Sequence, residues 1–264
     1  MAHGTTGSVL EDIAYLARSE HRVTTLAALT VRPRSRSELW ELTGVSSSTI
    51  RRTLRDFEER QWIFKEGYQY ETSQLGAYIA AAMVDLIEQL ETERSLRQVW
   101  EWLPEEDSGF EIGMCTDAQV TTADAENPYR PVNRFVTLLD ETSEFRFAGM
   151  DVAILEPLKD DFVERIIEGM HAEIINPPRV IRYIRTTYPE LFSTALESGN
   201  LTVRVHDDLP PYGVCLFDNR VAISGYDPEG VTVRVLVDTD REETRDWAES
   251  VYEMYRRQTP TFAI

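Results

Sequence analysis

Hydrophobic residues recur at helical spacing through the N-terminal third of the chain. One stretch without glycine or proline carries Ile50, Leu54 and Phe57 at positions i, i+4 and i+7. At about 100° per residue, this spacing places all three on one stripe of a helix. A hydroxyl at Ser46 or Ser47 can accept a hydrogen bond from an unpaired backbone N–H of the first turn. The pattern predicts a helix whose apolar stripe is buried in a small domain.

The opposite face of this predicted helix is basic and polar. It consists of Ser48, Arg52 and Arg55, with Ser47 and Arg51 on its flank near the N-terminal end. Arginine and serine side chains are the groups that bind DNA phosphates and guanine edges, and all five lie in the first half of the helix. The arrangement predicts a DNA recognition helix.

A shorter helix is predicted just before the recognition helix. It begins near Ser35 or Ser37, and the chain turns at Gly44. Leu39 and Leu42 are expected to face inward from it. Helix, glycine-containing turn and helix in succession are the pattern of a helix-turn-helix.

Two extended runs, WIFK and YQYET, follow the recognition helix and are joined by Glu66 and Gly67. This pattern predicts a β-hairpin in the position of a wing. Lys65 in the hairpin, with Arg34 and Arg36 before the shorter helix, are candidates for contacts with phosphates. A solvated loop explains the two arginines equally well.

Taken together, residues 9–72 resemble the winged helix-turn-helix domains of the MarR and ArsR kind found in archaeal transcription regulators. The resemblance implies that the domain binds a double-stranded DNA operator. A domain of this fold can also serve protein contacts alone. A non-catalytic adaptor that docks on the transcription machinery is therefore the alternative function.

Two longer helical patterns flank this domain. Residues 8–29 predict an amphipathic first helix, broken near residues 19–21. Residues 75–104 predict a linker helix whose apolar face comprises Ile79, Met83, Leu86, Ile87 and Leu90, then Leu96, Val99, Trp100 and Leu103. Such a face is longer than one small domain covers, which predicts pairing with a second copy of the chain. Packing against the chain's own C-terminal domain is the alternative.

From Phe110 onward the patterns of strands and helices alternate. Strands are predicted at 118–122, 144–150, 172–175, 200–206, 212–217, 220–224 and 231–237, and helices at 128–140, 158–169, 179–187, 189–199 and 241–258. This order predicts a layered α/β domain with a mixed sheet. The expected fold is α+β, with a winged helix-turn-helix at 8–74, a linker helix at 75–104 and the layered domain at 105–264.

Within the layered domain, residues 211–226 resemble the phospholipase D signature H-x-K-x4-D-x6-G-S. Asp218 falls on the aspartate and Gly225 on the glycine. Pro211 stands at the nucleophilic histidine, Gly213 at the phosphate-binding lysine and Tyr226 at the serine. Without an imidazole to form the covalent phospho-intermediate, hydrolysis by that route is excluded.

The two halves together resemble haloarchaeal regulators with a sensor domain of the methanogenesis-regulator type, distantly related to TrmB proteins. The resemblance implies a pocket for an unidentified small-molecule effector. The residues predicted to line it are Asp218, Arg220, Tyr226, Tyr212 and His206. A tight turn at Asp218 and Asn219 explains that pair without a ligand. The helices that follow Pro177 are the second choice for the ligand site.

The distribution of charge decides whether DNA binding is compatible with a net charge of −19. Residues 1–75 contain 10 Lys or Arg and 10 Asp or Glu, which leaves 17 basic and 36 acidic residues for the remainder. The excess of acidic residues therefore lies outside the predicted DNA-binding domain. An acidic surface of this kind resembles proteins of halophilic archaea. Molar salt weakens phosphate contacts, so base edges and DNA shape are expected to contribute more of the affinity.

Other functional classes find little support in the sequence. No apolar run reaches the roughly 18 residues of a membrane span and no signal peptide is evident, so a cytoplasmic protein without a membrane partner is expected. Cys115 and Cys215 are expected to be buried thiols. His171, His206 and Cys215 show no ligand spacing on a shared element, and no cofactor, metal or catalytic triad is expected. The sequence thus predicts a homodimeric regulator whose recognition helices enter major grooves, about one helical turn apart if the linker helices pair closely and farther apart if they do not.

Overall fold

The computed structural model describes residues 3–105, 108–150, 153–227 and 232–259. The chain divides into two compact units, Met1–Leu90 and Glu91–Ile264. The division falls inside a long helix, α5, which is introduced with the first unit.

The N-terminal unit combines helices with a small antiparallel sheet. Its helices are α1 (His3–Ala17), α2 (Glu20–Val31), α3 (Arg36–Thr43), α4 (Ser47–Glu59) and the first part of α5 (Gln74–Leu96). Its strands are β1 (Arg34–Ser35), β2 (Ile63–Glu66) and β3 (Gln69–Thr72), in the order β1-β3-β2. This is the expected helix-turn-helix followed by a wing.

Serine caps position the helix-turn-helix. The Ser35 hydroxyl accepts from the Glu38 backbone N–H at 3.3 Å, and the Glu38 carboxylate accepts from the Ser35 N–H at 2.8 Å. This reciprocal pair caps α3 and lowers the pKa of Glu38 to about 2, chiefly through the backbone hydrogen bond from Ser35. The helix ends at Gly44, whose φ of 67° is a left-handed conformation that glycine adopts without strain. Ser46, rather than Ser47, then caps α4 by accepting from Thr49 N.

The core of the first unit confirms the predicted stripe of α4. Ile50, Leu54 and Phe57 are fully buried together with Leu39 of α3. Leu42 is exposed, so the expectation that it faces inward was wrong. It lies about 60° around the helix from Leu39, beyond the edge of the narrow face that α3 presents to the core.

The paired helices α1 and α2 also differ from expectation in detail. The spacing of apolar residues predicts that Leu10, Ile13 and Leu16 share the apolar face of α1, but Leu10 and Ile13 are exposed, whereas Leu16 is buried in the core of the unit. His21 lies in the predicted break between the two helices, which indicates a surface residue. It is instead half-buried, and its Nε2 forms a hydrogen bond of 3.1 Å with the hydroxyl of buried Thr53 on α4. The histidine thereby ties α2 to the recognition helix.

The second unit is built on a seven-stranded mixed sheet. In chain order its elements are β4 (Gln119–Thr122), α6 (Arg130–Asp140), β5 (Glu144–Ala148), α7 (Lys159–Ile167), β6 (His171–Asn176), α8 (Pro178–Thr187), α9 (Pro189–Glu197), β7 (Leu201–Val205), β8 (Tyr212–Leu216), β9 (Val221–Tyr226), β10 (Val233–Thr239) and α10 (Glu242–Gln258). The sheet order is β4-β10-β9-β8-β5-β6-β7, with β5, β6 and β7 parallel and the other neighbours antiparallel. The expected mixed sheet is confirmed. Val231, predicted to begin the last strand, lies outside the described residues.

Side chains that alternate along the strands form two cores, one on each face of the sheet. Phe145 and Phe147 of β5 belong to the core that contains residues of α6, α7 and α9. Val214 and Leu216 of β8 belong to the opposite core, with residues of α10 and the segment 96–115. Because both faces of the sheet are covered, every residue of β8 and β9 is buried, and most of these residues are apolar.

The predicted linker helix is shorter than expected. It ends at Leu96, and a single turn of 3-10 helix follows at Trp100–Trp102. Leu96, Val99 and Leu103 are buried in the core of the second unit. The structure therefore shows that this last part of the apolar face packs within the chain's own C-terminal unit.

Two further expectations concern single residues of the second unit. Cys115 and Cys215 are buried free thiols, and burial raises the pKa of Cys115 to about 12. On α10 the spacing of apolar residues predicts that Trp247, Val251 and Met254 face inward; Trp247 and Val251 are buried, but Met254 is exposed.

Candidate functional site

The predicted recognition face of α4 is open to solvent. Ser47, Ser48, Arg51, Arg52 and Arg55 are all exposed. The guanidinium of Arg55 lies 3.5 Å from Asp56 and 3.7 Å from Glu59, with 66% of its side chain exposed. Among the ion pairs of the described residues, Arg51 and Arg52 take part in none. Two unpaired cations therefore project from the N-terminal half of a helix whose other side is anchored in the core.

Three of the predicted phosphate-binding residues meet in one groove. Arg36 of α3, Ser47 of α4 and Lys65 of β2 line it together with the aromatic side chains of Trp40 and Tyr68. We call this depression of about 410 Å³ the wing groove. It joins both helices of the helix-turn-helix to the hairpin on a single surface.

Arg34 has a different position from the other predicted contacts. It lies in β1, opposite Tyr70 of β3, and its Nε donates a hydrogen bond of 3.1 Å to the carbonyl of Ala28. The side chain is half-buried. A role in joining α2 to the small sheet therefore accounts for Arg34 without a phosphate.

The loop of the wing lies one residue later than predicted, and its tip carries Tyr68, which was not among the predicted contacts. Because Glu66 pairs with Gln69, the loop consists of Gly67 and Tyr68 rather than Glu66 and Gly67. Gly67 has a φ of 59°, as expected for the first residue of a two-residue hairpin loop. Tyr68 is 92% exposed at the tip. In the sequence, the signal for a DNA contact at this position is an aromatic residue directly after the loop glycine.

In the second unit, Asp218 of the predicted ligand-binding hairpin has a structural role. Its carboxylate accepts hydrogen bonds from the backbone N–H groups of Ser143 at 2.9 Å and Glu144 at 2.8 Å. Partial burial alone would raise the pKa of Asp218, but these two bonds outweigh it and the pKa is lowered. Asp218 thus fastens the β8–β9 loop to the start of β5.

The other hairpin candidates do not converge with Asp218. Arg220 binds the buried carboxylate of Asp238 at 2.8 Å. Tyr226 and Tyr212 are buried at the far end of the hairpin, where Tyr226 shares a hydrogen bond of 2.8 Å with Ser224. A strand of six residues separates the two ends by about 17 Å. The expectation of one pocket lined by all these residues is therefore not met by the geometry.

His206, the fifth candidate, has partners outside the hairpin. Its Nε2 lies 3.1 Å from Oε1 of Gln258, its Nδ1 accepts from Asp208 N, and its ring packs edge-on against Tyr255. These contacts join the end of β7 to the end of α10. Ligand binding at the five predicted residues stays a prediction, and each has a structural explanation.

The hairpin also leaves no room for the phospholipase D lysine. A Cβ added to Gly213 would lie 2.3 Å from the Ser224 hydroxyl and 2.9 Å from the Tyr226 hydroxyl. A side chain at this position would displace buried groups. Packing therefore requires a glycine at position 213, and a lysine there is sterically prevented.

Comparison with known proteins adds two matches to family models. Residues 128–258 match the middle domain of the methanogenesis regulatory protein FilR1, and residues 10–95 match the HVO_A0261 N-terminal domain. The chain is similar to a regulatory protein. No curated protein sequence matches the chain.

Solved structures resemble the regulator-like chain only distantly. TrmBL2, described as an archaeal chromatin protein with a novel mode of DNA binding, is 16% identical over 91% of this chain and 92% of its own, with a TM-score of 0.44. HmgR from Pseudomonas aeruginosa is 10% identical over 93% and 97%, with a TM-score of 0.27. The dimethyltransferase RosA from Streptomyces davawensis is 14% identical over 77% and 65%, with a TM-score of 0.25. Similarity at this level does not establish a shared function.

Neither a membrane-spanning helix nor a metal-binding cluster is present among the described residues. In that part of the chain, no helix is both long and apolar enough to cross a membrane. Over the same ranges, no three His, Cys, Asp or Glu side chains are grouped so that they can hold a metal ion.

Proposed function

We propose that this protein is a sequence-specific DNA-binding transcription regulator whose C-terminal domain senses a small molecule. The observation that carries the proposal is the recognition face of α4, where exposed Arg51 and Arg52 are unpaired and lie opposite a fully buried stripe. An exposed cation without a partner gains most from a phosphate or a guanine edge. The match of residues 128–258 to a regulatory protein supports the regulatory half of the proposal.

In the proposed complex, the N-terminal half of α4 enters the major groove. Recognition helices of this kind contact base edges with their first turns. The second half of α4 carries exposed Glu58 and Glu59, which repel phosphates, so only the first half suits this role. The wing groove then lies along the flanking backbone, where Arg36 and Lys65 bind phosphates and Tyr68 reaches from the wing tip.

We further propose that the protein acts as a homodimer through α5. Ile79 and Met83 pack against the core of the first unit, but farther along the helix Leu86 is 40% and Leu90 51% exposed. Two leucines at i and i+4 form a stripe that a second copy of the same helix can cover. A dimer would place two recognition helices on a palindromic operator.

A protein-docking role is the second candidate. Trp40 and Leu42 of α3 are both exposed, although the latter was expected to be buried. The two side chains are two positions apart on the helix and face different directions, but each is an apolar group that a protein partner can cover and a phosphate cannot. In that case the basic face of α4 is not the determinant of binding.

Selection from a pool of random duplexes, followed by fluorescence anisotropy of the enriched sequence, separates the two functions. The wild type should enrich a defined site, and a variant with alanine at Arg51, Arg52 and Arg55 should not bind it. A matched variant with alanine at Arg94, Arg97 and Arg257, exposed arginines of the second unit, controls for the loss of three charges. Enrichment of no sequence, or full affinity in the first variant, would refute DNA reading by α4.

A further inference from the structure

The second unit contains a cavity that lies away from the hairpin. It is lined by residues of α7, α8, α9 and the strands β6 and β7, and its volume is about 90 Å³. Its walls are apolar over most of their area, with Phe162, Ile166, Ile174 and Phe192 among the lining side chains. These elements include the helices that follow Pro177.

One polar side chain interrupts the apolar wall. Asn176, at the end of β6, is fully buried and lines the cavity. Its Nδ2 donates a hydrogen bond of 2.7 Å to the carbonyl of Gly149, while its Oδ1 has no partner. Because a carbonyl only accepts, this bond fixes which end of the amide is the donor. A buried acceptor without a donor is unfavourable, and a molecule in the cavity can supply the missing donor.

The rim of the cavity is polar and carries one carboxylate and one ammonium group. The carboxylate of Glu156 accepts hydrogen bonds from the hydroxyls of Tyr183 and Tyr188. The bond to Glu156 raises the pKa of Tyr183 above its ordinary value. Lys159, also on the rim, lies with its Nζ 5.3 Å from the centre of the Tyr188 ring and 3.2 Å from Asp160. These groups already have partners, so they frame an entrance rather than a second polar pocket.

The size and lining of the cavity limit what it can hold. An enclosed apolar cavity of about 150 Å³ accommodates benzene in another protein. This space is smaller but open at its rim, so it accepts at most a single small ring that reaches into the entrance. Burying a charge against apolar walls is unfavourable. A phosphorylated metabolite is therefore the wrong class of ligand for this site.

We propose that the cavity binds a small uncharged molecule, a phenol or a cyclic alcohol, which donates one hydrogen bond to Asn176 Oδ1. Such a ligand matches the apolar walls with its ring and the unsatisfied acceptor with its hydroxyl. Bound there, it contacts α7, α8, α9 and the edge of the sheet at once. That it is the effector rests on the proposed regulatory function, whereas its binding is measured without DNA.

Thermal denaturation of the full chain with phenol or toluene tests the binding. A ligand that binds only the folded state raises the melting temperature by mass action. Phenol should do so, and toluene, which has a similar shape but no donor, should require at least about tenfold higher concentration for the same shift. Equal effects of the two, or none from phenol, would overturn the assignment of Asn176 as the acceptor.

A cavity-filling variant tests the location without altering Asn176. Ala195 of α9 is buried and lines the cavity, so Ala195→Leu should abolish the phenol shift while the unliganded protein stays folded. Thr194→Leu, an exposed position on the same helix, is the matched control and should keep the shift. Unchanged phenol binding in Ala195→Leu would place the site elsewhere.

The effect on DNA separates this site from the proposed function. Phenol should change the affinity for the selected duplex at least about threefold in the wild type and leave it unchanged in Ala195→Leu. Phenol binding without any change in DNA affinity would refute the effector role but not the site. Absence of DNA binding, with the phenol shift intact, would refute the proposed function alone.

Discussion

Both carboxylate oxygens of Asp238 are bound by the guanidinium of Arg134, at distances of 2.7 and 2.9 Å. Asp238 is fully buried, and Arg220 adds a third charged hydrogen bond at 2.8 Å. Bidentate pairs of this kind are among the strongest polar contacts in proteins. The network joins α6, β10 and the β8–β9 hairpin, which explains why Arg220 is not available as a simple ligand contact.

Removing Arg134 should therefore destabilise the second unit. Arg134→Ala leaves a buried carboxylate with one cation instead of two, and we expect a loss of about 3 kcal/mol in the free energy of unfolding. Arg130→Ala on the same helix is the control, because Arg130 is half-exposed where it pairs with Asp124. An exposed pair contributes about 1 kcal/mol or less. Equal losses in urea denaturation of the two variants would contradict the importance of the buried network.

Arginine substitutions on α4 should affect DNA binding and leave stability nearly unchanged. Each of Arg51→Ala and Arg52→Ala should weaken binding of the selected duplex by about 1–3 kcal/mol if the guanidinium is bidentate to a guanine. If a variant loses sequence preference at one base position, the arginine contacts that base. If its affinity falls equally for all sequences and depends less on salt, the arginine contacts a phosphate. Anisotropy titrations over a range of KCl concentrations distinguish them. An unchanged affinity for both variants would remove these residues from the interface.

The buried face of the same helix should show the opposite behaviour. Leu54→Ala leaves a cavity beside Ile50 and Phe57 and should cost about 2–5 kcal/mol of stability. DNA affinity at a temperature where the variant remains folded should be close to that of the wild type. Arg55→Ala, one residue farther along the helix, is the matched control for stability. A loss below about 0.5 kcal/mol for Leu54→Ala would show that the stripe is not packed.

The helix α4 was predictable because its signal is local. Ile50, Leu54 and Phe57 face one core at one period, and a serine cap marks the start of the helix. Leu42 was not predictable with the same rule, because α3 is too short for its periodicity to define which edge of the face the core covers. Local patterns therefore predict where helices and strands lie more reliably than they predict whether a residue at the edge of a helix face is buried.

The candidate ligand site was less predictable for a reason of geometry. An alignment to a motif brings Asp218 and Tyr226 together in the sequence, but the strand between them separates them in space. The cavity beside Asn176 is formed by elements spread over residues 155–203. Its unsatisfied acceptor appears only after those elements pack. A sequence pattern alone contains no signal for such a space.

The proposed dimer interface on α5 predicts different effects for neighbouring residues. Met83 packs against the core of the first unit, whereas Leu86 and Leu90 are exposed. Glutamate at both Leu86 and Leu90 should give folded monomers whose melting temperature no longer depends on protein concentration, because a twofold interface cannot bury unpaired carboxylates. Met83→Glu should instead lower the melting temperature, so it is unsuitable as a test of assembly. Light scattering in high salt measures the mass, and a wild type that is monomeric at micromolar concentration would exclude the dimer.

His21 gives the first unit a predicted dependence on pH. Burial lowers the pKa of His21 below its ordinary value of 6.5, with the charges of Arg22 and Arg52 acting in the same direction. The folded state thus favours the neutral ring that is hydrogen-bonded to Thr53, while the unfolded chain takes up a proton near pH 6.5. The contribution of His21 to stability is therefore fully present above pH 6.5 and is lost as the pH falls through the lower pKa of the folded state.

Urea denaturation of the wild type and of His21→Gln at pH 7.5 and 5.5 measures this contribution. Glutamine retains a hydrogen-bonding group for Thr53 but does not titrate, so the loss of stability on acidification should be smaller in the variant. Carboxylates that titrate at lower pH affect both proteins alike and cancel in the comparison. Arg52→Ala should act in the same direction as His21→Gln, because removing the neighbouring cation lets the folded pKa rise toward 6.5. Identical pH dependence in the wild type and both variants would show that the ring is not held neutral, and the link between α2 and the recognition helix would then have to rest on packing alone.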